Sequence, residues 1–167
     1  DVIQIRERDM ASSTLRDLTR EVVAATQGTH TRVLVNDRAD VALVSGAHGV
    51  HLRDDGWPAA RVRSLNRGWF IGRSVHNVTT SEAIDGVDFA VFGAVFGSAH
   101  KPERGIEALR AVVVSSPVPV VAIGGVTPHT APRAIAAGAA GVAAISLFLP
   151  AGCAPGALGP AQAVSRL

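Results

Sequence analysis

The sequence predicts an α/β domain, and two observations favour the eight-stranded (β/α)8 barrel as its architecture. Short runs of β-branched residues alternate with stretches of helical spacing along the chain, and most of these runs are continuously apolar, as buried parallel strands are. Seven such runs can be counted in 167 residues, and a barrel needs eight. We expect one barrel domain over residues 1–167 that begins at about the second barrel strand, so that the first strand would lie upstream of Asp1.

Each predicted strand is an apolar run that polar residues or glycines follow. The predicted strands are residues 2–6, 32–36, 49–52, 69–74, 89–92, 119–123 and 141–145. The predicted helices are residues 12–27, 40–45, 58–64, 80–84, 106–115, 128–137 and 160–167. An open doubly wound sheet is the competing architecture. It would carry a glycine-rich loop after its first strand, and Glu7-Arg8-Asp9 is not such a loop.

One five-residue motif occurs twice where a predicted helix ends and a strand begins. It reads GAHGV at residues 46–50 and GAAGV at residues 138–142. A glycine that stops the helix, followed by a tight loop into a buried strand, is what a βα-repeat protein needs at such a junction. Coincidence in a chain rich in Gly and Ala is the alternative.

Charge and cysteine content exclude several classes of protein. Sixteen Lys and Arg against fourteen Asp and Glu give a net charge of +2, and these charges are scattered, which argues against nucleic-acid binding. A single cysteine, Cys153, and the lack of a basic-then-apolar leader predict a cytoplasmic setting. No apolar stretch is long and unbroken enough to span a membrane. The sequence leaves a homo-oligomer open.

The active site of such a barrel is built from residues that follow the carboxyl ends of the strands. Arg6, Arg8 and Lys101 follow strands that are far apart in sequence, and we expect them to converge above the barrel and bind a polyphosphate. Surface ion pairs, such as Arg6 with Glu7, are the alternative for either arginine. The expected partners are small phosphorylated substrates.

Two glycines follow the sixth predicted strand and precede a helix. Backbone N–H groups near Gly124 and Gly125 can approach an anion there, and Ser146 follows the next strand, so the three residues predict a phosphate cradle. A tight turn without a ligand is the alternative explanation of the glycines.

Carboxylates follow the second and third predicted strands. Asp37, with Asp54 and Asp55 from the neighbouring strand end, would suit a hard cation such as Mg²⁺ that also binds substrate phosphates. Alternatively, Asp54 and Asp55 form a solvated loop and Asp37 pairs with Arg38 or Arg6.

Histidines follow three of the strands, at positions 51, 76 and 100. For His51 and His76 a hydrogen-bonded structural imidazole and a catalytic one are equally good interpretations. His100, in the segment GSAHK, is the one for which a functional role is favoured.

Five segments, in order, resemble the family of thiamine phosphate synthase and its relative, the thiazole tautomerase. They are residues 4–9 (QIRERD), 36–40 (NDRAD), 49–52 (GVHL), 71–76 (IGRSVH) and 122–128 (AIGGVTP). The resemblance covers nearly the whole chain and implies an eight-stranded barrel. The synthase joins hydroxymethylpyrimidine pyrophosphate to hydroxyethylthiazole phosphate and releases pyrophosphate.

The resemblance also implies a role for each matching residue. Gln4 and Asn36 would face the pyrimidine, and Asp37 would bind Mg²⁺. The pyrophosphate would contact Arg6, Arg8 and Lys101. Ser74 and Ser98 would face the reacting groups. The catalytic residues would be Ser74, Lys101 and Arg6. The thiazole phosphate would be held by Gly125, Ile145 and Ser146.

Some positions depart from the synthase pattern. Arg8 stands where the family usually has lysine, and Gly56 stands at the second Mg²⁺ aspartate, for which Asp55 or Asp54 would substitute. Ser98 and His100 replace two threonines that would contact phosphate. The tautomerase has a histidine where this chain has Ala94. The synthase is therefore the expected function, with the tautomerase or a non-catalytic phosphate-ligand binder as alternatives.

Overall fold

The computed structural model describes residues 1–77, 84–98, 101–145 and 147. Its strands are β1 (Val2–Ile5), β2 (Arg32–Asn36), β3 (Gly49–Leu52), β4 (Phe70–Val75), β5 (Phe89–Gly93), β6 (Val120–Ile123) and β7 (Gly141–Ala143). Its helices are α1 (Ser12–Ala25), α2 (Ala39–Ser45), α3 (Ala59–Arg63), α4 (Ile106–Ser115) and α5 (Ala131–Ala136). Among the described residues, no helix has the length and apolarity needed to cross a bilayer.

The seven strands form one parallel sheet in which spatial order equals chain order. Each strand pairs with its sequence neighbours, as in Leu34 opposite Gly49 and Gly49 opposite Phe70. Over the described residues the sheet curls into a partial barrel whose two edges are β1 and β7. Parallel strands in this order bring all their carboxyl ends to one rim, which is where the predicted site residues lie.

The centre of the sheet is buried on both faces. Val33, Leu34 and Val35 are consecutive residues of β2, and each has no exposed surface. Since successive side chains of a strand point to opposite faces, a run of this kind packs against the helices on one side and fills the barrel interior on the other. The apolar runs of β2 and β3 are therefore buried strands of the barrel, whereas the edge strands β1 and β7 are mostly exposed or half-buried.

The repeated motif forms the same junction between a helix and a strand in both places. Gly46 ends α2 with φ +74°, and Gly138 follows α5 with φ +97°. The next residue then donates its backbone N–H to the helix behind it, Ala47 to Ala42 O at 3.1 Å and Ala139 to Ala134 O at 3.2 Å. Only glycine takes such a left-handed conformation without strain. The prediction of a shared junction is confirmed.

Some predicted boundaries are corrected by local hydrogen bonding. The helix expected over residues 128–137 begins at Ala131, because Thr127 and Thr130 each accept the other's backbone N–H through their hydroxyl groups, at 3.2 and 2.8 Å, and form a turn before it. The last strand ends at Ala143 and not at residue 145. Most of the helix predicted over 80–84 and all of the one over 160–167 lie outside the described residues.

Candidate active site

Side-chain hydrogen bonds join the rim ends of β1 and β2. Gln4 Nε2 donates to Asn36 Oδ1 at 2.9 Å, and Asn36 Nδ2 donates to Asp37 Oδ2 at 3.4 Å. Gln4 pairs in register with Leu34, so the two amides come from adjacent strands at nearly the same height. The structure thus brings together three residues that the sequence predicts for the site.

Asp37 is held by Arg53 and not by the arginines that the sequence suggested. Its Oδ1 accepts the backbone N–H of Arg53 at 3.0 Å, and its Oδ2 lies 2.6 Å from Arg53 Nε. The backbone at Asp37 is left-handed, with φ +57°, a conformation that Asp tolerates better than most residues. The expected alternative pairing of Asp37 with Arg38 or Arg6 is wrong.

Arg38 has its own partner on the surface. Its guanidinium binds Asp40 at 2.7 Å and donates to Ser12 Oγ at 2.8 Å. This hydrogen-bonded pairing raises the pKa of Arg38 and lowers that of Asp40. Asp40, two residues away on α2, therefore binds Arg38. Asp37 binds Arg53, which follows the next strand.

A cavity of about 200 Å³ opens beside Asp37 at the ends of the first three strands. It is lined by Ile5, Arg6, Glu7, Arg8, Leu15, Asn36, Asp37, Arg38 and Arg53. Four arginines and two acidic residues line the cavity, an excess of positive charge that suits an anionic ligand even though Arg38 is paired with Asp40 and Arg53 with Asp37. Arg6 and Arg8 come together here as expected.

Lys101 lies in a different cavity from Arg6 and Arg8. This second cavity, of about 160 Å³, is lined by His76, Gly93, Ala94, Lys101, Pro102 and Arg104. The expected convergence of the three cations in one pocket is therefore not seen, because Lys101 follows β5, four strands away from β1 in the curled sheet. Both cavities open at the same rim.

Ser98 and Lys101 are joined through their backbones. Ser98 N–H donates to Lys101 O at 2.9 Å, and Lys101 N–H donates to Ser98 O at 3.3 Å. This two-way pairing holds the start and end of the segment that contains His100. His100 itself lies outside the described residues, so its predicted role stays a prediction.

His51 and Ser74 form a hydrogen-bonded pair in the interior of the site. His51 Nε2 lies 2.9 Å from Ser74 Oγ, and His51 is only 4% exposed. Burial lowers the pKa of His51 to about 4; the charge of Asp37 opposes this shift, and those of Arg6 and Arg73 add to it. The imidazole is therefore neutral at neutral pH and fixes the hydroxyl of Ser74.

Arg73 is a site-building residue to which the sequence assigned no role. It is 5% exposed, and its guanidinium donates to Arg53 O and Asp54 O, both at 3.1 Å, and to Trp57 O. Burial lowers the pKa of Arg73. Within the described residues its Nε has no hydrogen-bond partner. An arginine within a strand, and not after it, was the signal that could have identified it.

Gly124 and Gly125 allow the chain after β6 to touch the chain after β5. Both have positive φ, +94° and +65°. A Cβ at Gly124 would lie 2.5 Å from Ala94 Cα, and one at Gly125 would lie 2.6 Å from Gly97 O. Close packing is thus a sufficient reason for both glycines. Of the other residues predicted for this cradle, Ile145 is exposed and Ser146 lies outside the described residues.

The two carboxylates predicted to bind Mg²⁺ meet at one cationic atom. Arg53 Nε lies 2.6 Å from Asp37 Oδ2 and 3.6 Å from Asp55 Oδ1. Mg²⁺ in proteins commonly takes one or two carboxylates and completes its shell with water and substrate phosphates. The donor chemistry therefore fits this ion, although no group of three or more acidic, His or Cys residues is found in the described part of the chain.

Gly56 lies close to this carboxylate pair. A Cβ built at Gly56 would be 3.5 Å from Asp37 Oδ1, so a longer acidic side chain at this position would point toward Asp37. Glycine supplies no such ligand. Asp55, whose side chain is 78% exposed, is the nearby carboxylate that faces the same atom of Arg53.

Comparison with known proteins identifies the family of this chain. The family model described as thiamine monophosphate synthase matches residues 1–148. The thiamine-phosphate synthase of Anaeromyxobacter dehalogenans is 37% identical over 172 residues, which cover 99% of this chain and 74% of that protein. The thiamine-phosphate synthase of Methanoregula boonei is 39% identical over 153 residues, covering 87% and 71%.

A solved structure shows the same fold. Thiamine phosphate pyrophosphorylase from Pyrococcus furiosus superposes with a TM-score of 0.75 at 30% identity, over 86% of this chain and 71% of that one. The resemblance carried by the five sequence segments is thereby confirmed. With a family match across most of its length and relatives of this identity and coverage, the chain belongs to the thiamine monophosphate synthase family.

Proposed function

We propose that this protein is a thiamine-phosphate synthase that joins hydroxymethylpyrimidine pyrophosphate to hydroxyethylthiazole phosphate and releases pyrophosphate. The observation that carries the proposal is the cationic cavity beside Asp37, with Arg6 and Arg8 on its wall. A transferase that expels pyrophosphate must hold four phosphate-borne negative charges or nearly so, and a cluster of guanidinium groups is well suited to that. Family membership supplies the reaction, and the cavity supplies a place for the leaving group.

The reaction is a substitution at a benzylic-type carbon. The bond between the pyrimidine methylene carbon and the pyrophosphate oxygen breaks, and its electron pair leaves with the oxygen. The thiazole nitrogen then supplies the pair that forms the new C–N bond. Negative charge grows on the pyrophosphate as it departs, so Arg6 and Arg8 stabilise the transition state more than the ground state.

The amide pair at the ends of β1 and β2 is assigned to the pyrimidine. Gln4 donates to Asn36 and Asn36 donates one N–H to Asp37, which leaves the carbonyl oxygen of Gln4 to accept, and the second N–H of Asn36 to donate, toward a ring with both kinds of group. Ser74, held by neutral His51, is assigned to the reacting groups. Ser98 is assigned to them as well. Side chains that hold the substrates in the reacting geometry lower the entropic part of the barrier and so raise the rate.

The remaining assignments follow the family pattern except at His100 and Gly124, which are assigned from their positions after the strands. Lys101 and His100 contact pyrophosphate from the side of β5, and the thiazole phosphate is held by Gly124, Gly125, Ile145 and Ser146. Support for the first comes from the cavity that Lys101 lines. The tight turn at Gly124 and Gly125 supports the second, since a backbone without side chains admits a close approach by an anion.

Asp37 and Asp55 would hold Mg²⁺, the cofactor that we propose. When bound, the ion neutralises charge on the departing pyrophosphate. The two carboxylates already face a single positive group, which supports their placement as a pair.

A direct assay tests the synthase against the alternatives. Purified protein supplied with both substrates and Mg²⁺ should release pyrophosphate and form thiamine phosphate in equal amounts. Isomerisation of the thiazole carboxylate phosphate without pyrophosphate release would indicate the tautomerase instead, and His76, not Ala94, would then be the candidate base on the wall of the second cavity. Binding of substrates with neither product would indicate a non-catalytic ligand binder.

Matched arginine variants test the cavity. Arg6→Gln should lower kcat/KM about 100-fold or more, because it removes one charge that stabilises the leaving group. Arg38→Gln removes the same charge from the same wall, but its guanidinium is engaged by Asp40 and Ser12, so the expected loss is less than about threefold. Equal losses in both variants would contradict the assignment of Arg6.

A further inference from the structure

Arg53 stands where a divalent ion would be expected. Its Nε contacts Asp37 Oδ2 at 2.6 Å and lies 3.6 Å from Asp55 Oδ1. The carboxylates carry two negative charges, and the guanidinium offsets one of them. Arg53 therefore acts as an internal counter-ion for the pair of residues proposed to bind metal.

The contacts of Asp37 leave a metal ion little room unless Arg53 moves. Oδ1 accepts the Arg53 backbone N–H at 3.0 Å, and Oδ2 is contacted by both Arg53 Nε and Asn36 Nδ2. A hard cation needs direct access to a carboxylate oxygen. The guanidinium and the ion consequently compete for Oδ2.

The side chain of Arg53 can leave without disturbing the fold. It is 52% exposed, so its ion pair is screened by water and contributes little to stability. The backbone of Arg53 is fixed independently, since its carbonyl accepts a hydrogen bond from Arg73 and its N–H donates to Asp37. Arg53 thus carries an exposed charge on a backbone that hydrogen bonds hold in place.

The cavity gives the released guanidinium a destination. Arg53 lines the same cavity as Arg6 and Arg8, where an anion would attract it. Guanidinium groups bind phosphate oxygens in a two-pronged geometry that suits this exchange.

We propose that Arg53 exchanges partners during substrate binding. With no divalent ion present it neutralises Asp37 and Asp55; when those carboxylates take the ion, its guanidinium turns to the pyrophosphate. The inference rests on the proposed function, which supplies the pyrophosphate. It assigns Arg53 two opposite effects: it weakens binding of the free ion and strengthens binding of the ion together with pyrophosphate.

The first measurement is a titration with Mn²⁺ alone, followed by water-proton relaxation. Arg53→Gln should bind Mn²⁺ about threefold to tenfold more tightly than the unaltered protein, the change expected from loss of one weak ion pair. Arg38→Gln is the matched control, with the same charge removed from the same cavity, and should change the affinity less than about twofold. Arg53→Gln combined with Asp37→Asn should lose the tight binding.

The second measurement adds inorganic pyrophosphate at saturating Mn²⁺. Arg53→Gln should bind pyrophosphate about fivefold or more weakly than the unaltered protein, the opposite direction from the first result. Unchanged or weaker Mn²⁺ binding by Arg53→Gln overturns the inference, and so does unchanged pyrophosphate affinity. Thermal unfolding of each variant shows that it is folded.

Neither measurement requires turnover, so the inference and the proposed function can fail separately. A protein that forms no thiamine phosphate but shows both opposite shifts keeps the exchange at Arg53. An active synthase in which Arg53→Gln moves neither affinity keeps its function and loses the inference.

Discussion

The two sides of the rim are constructed in different ways. At the ends of β1 to β4, polar side chains contact one another: Gln4 with Asn36, Asp37 with Arg53, and His51 with Ser74. At the ends of β5 and β6, main chain lies against main chain. A Cβ at Gly93 would be 2.3 Å from Ile123 O, and one at Gly124 would be 2.5 Å from Ala94 Cα.

Because of this difference, we expect the two sides of the rim to tolerate mutation unequally. Where the hydrogen bonds of the polar side are exposed, as between Gln4 and Asn36, little stability is lost when one partner is removed, because water replaces it; His51 and Arg73 are the buried residues of this side. A side that depends on close backbone approach has no space for even a methyl group. Recognition can therefore change on the first side while the second keeps its shape. Four substitutions test the comparison.

The largest effect is expected on the glycine side. Gly124→Ala should lower the free energy of unfolding by about 2 to 5 kcal/mol, since it adds strain at φ +94° to a collision with Ala94. Gly28→Ala is the control, because its φ is +78° but nothing lies within 4 Å of the added carbon. It should cost only about 1 to 2 kcal/mol of strain. Urea denaturation measures both, and equal losses would mean that the contact with Ala94 is unimportant.

His51 is buried on the polar side, and we expect its effect on the free energy of unfolding to depend on pH. The pKa of His51 is about 4 in the folded protein against an ordinary 6.5, so between these values the unfolded chain binds a proton that the folded chain does not. Stability should therefore fall as the pH decreases from 6.5 to 4, by about 3 kcal/mol from this residue.

Denaturation at a series of pH values checks the His51 prediction. His51→Gln can still hydrogen-bond Ser74 but does not titrate, so its stability should depend less on pH over this interval. The difference between the two curves isolates His51 from other titrating groups. Parallel curves would show that His51 is as free to take a proton in the folded chain as in the unfolded one.

A smaller loss is expected from Arg73→Met. The variant lacks the donors that bind Arg53 O, Asp54 O and Trp57 O, and about 2 kcal/mol should be lost, with faster amide exchange over residues 53–57. Arg61→Met is the control, since Arg61 lies over the exposed ring of Trp57. It should cost about 0.5 kcal/mol. Unchanged amide exchange in Arg73→Met would show that loop 53–57 keeps its conformation without the hydrogen bonds from Arg73.

The smallest effect on stability is expected from Gln4→Leu. Its hydrogen bond with Asn36 is exposed, so the loss should be about 0.5 to 1 kcal/mol or less. If Gln4 faces the pyrimidine, the KM for that substrate should nonetheless rise about tenfold. Denaturation and steady-state kinetics on the same variant separate the two effects. A large loss of stability would break the comparison between the two sides.

Much of the fold was predictable from the sequence because parallel barrel strands leave a simple pattern. All seven strands lie within two residues of their predicted bounds; a strand buried on both faces reads as an unbroken apolar run. The junction glycines were predictable for a similar reason, since the helix end at Gly46 needs a residue that tolerates positive φ.

The site was harder to predict because its contacts depend on side-chain partners. Asp37 follows β2 and could be placed on the rim, but its partner Arg53 follows β3, and nearness in sequence favoured Arg38. Neither the burial of Arg73 nor its three acceptors could be predicted, because both follow from the path of loop 53–57. Strand order predicts which rim a residue reaches. It does not predict which neighbour it will bind.

The order of the strands also has a consequence for how the chain folds. Across the described residues each strand pairs only with those immediately before and after it in sequence, so every pairing closes one βα crossover, between residues 15 to 30 positions apart. Closing such a crossover costs less chain entropy than pairing with a segment from the far end of the domain. Each strand can therefore join the sheet soon after it leaves the ribosome, without waiting for a distant segment. The cationic cavity, which draws on the ends of β1 to β3, would then be complete before the glycine turn after β6 has been synthesised.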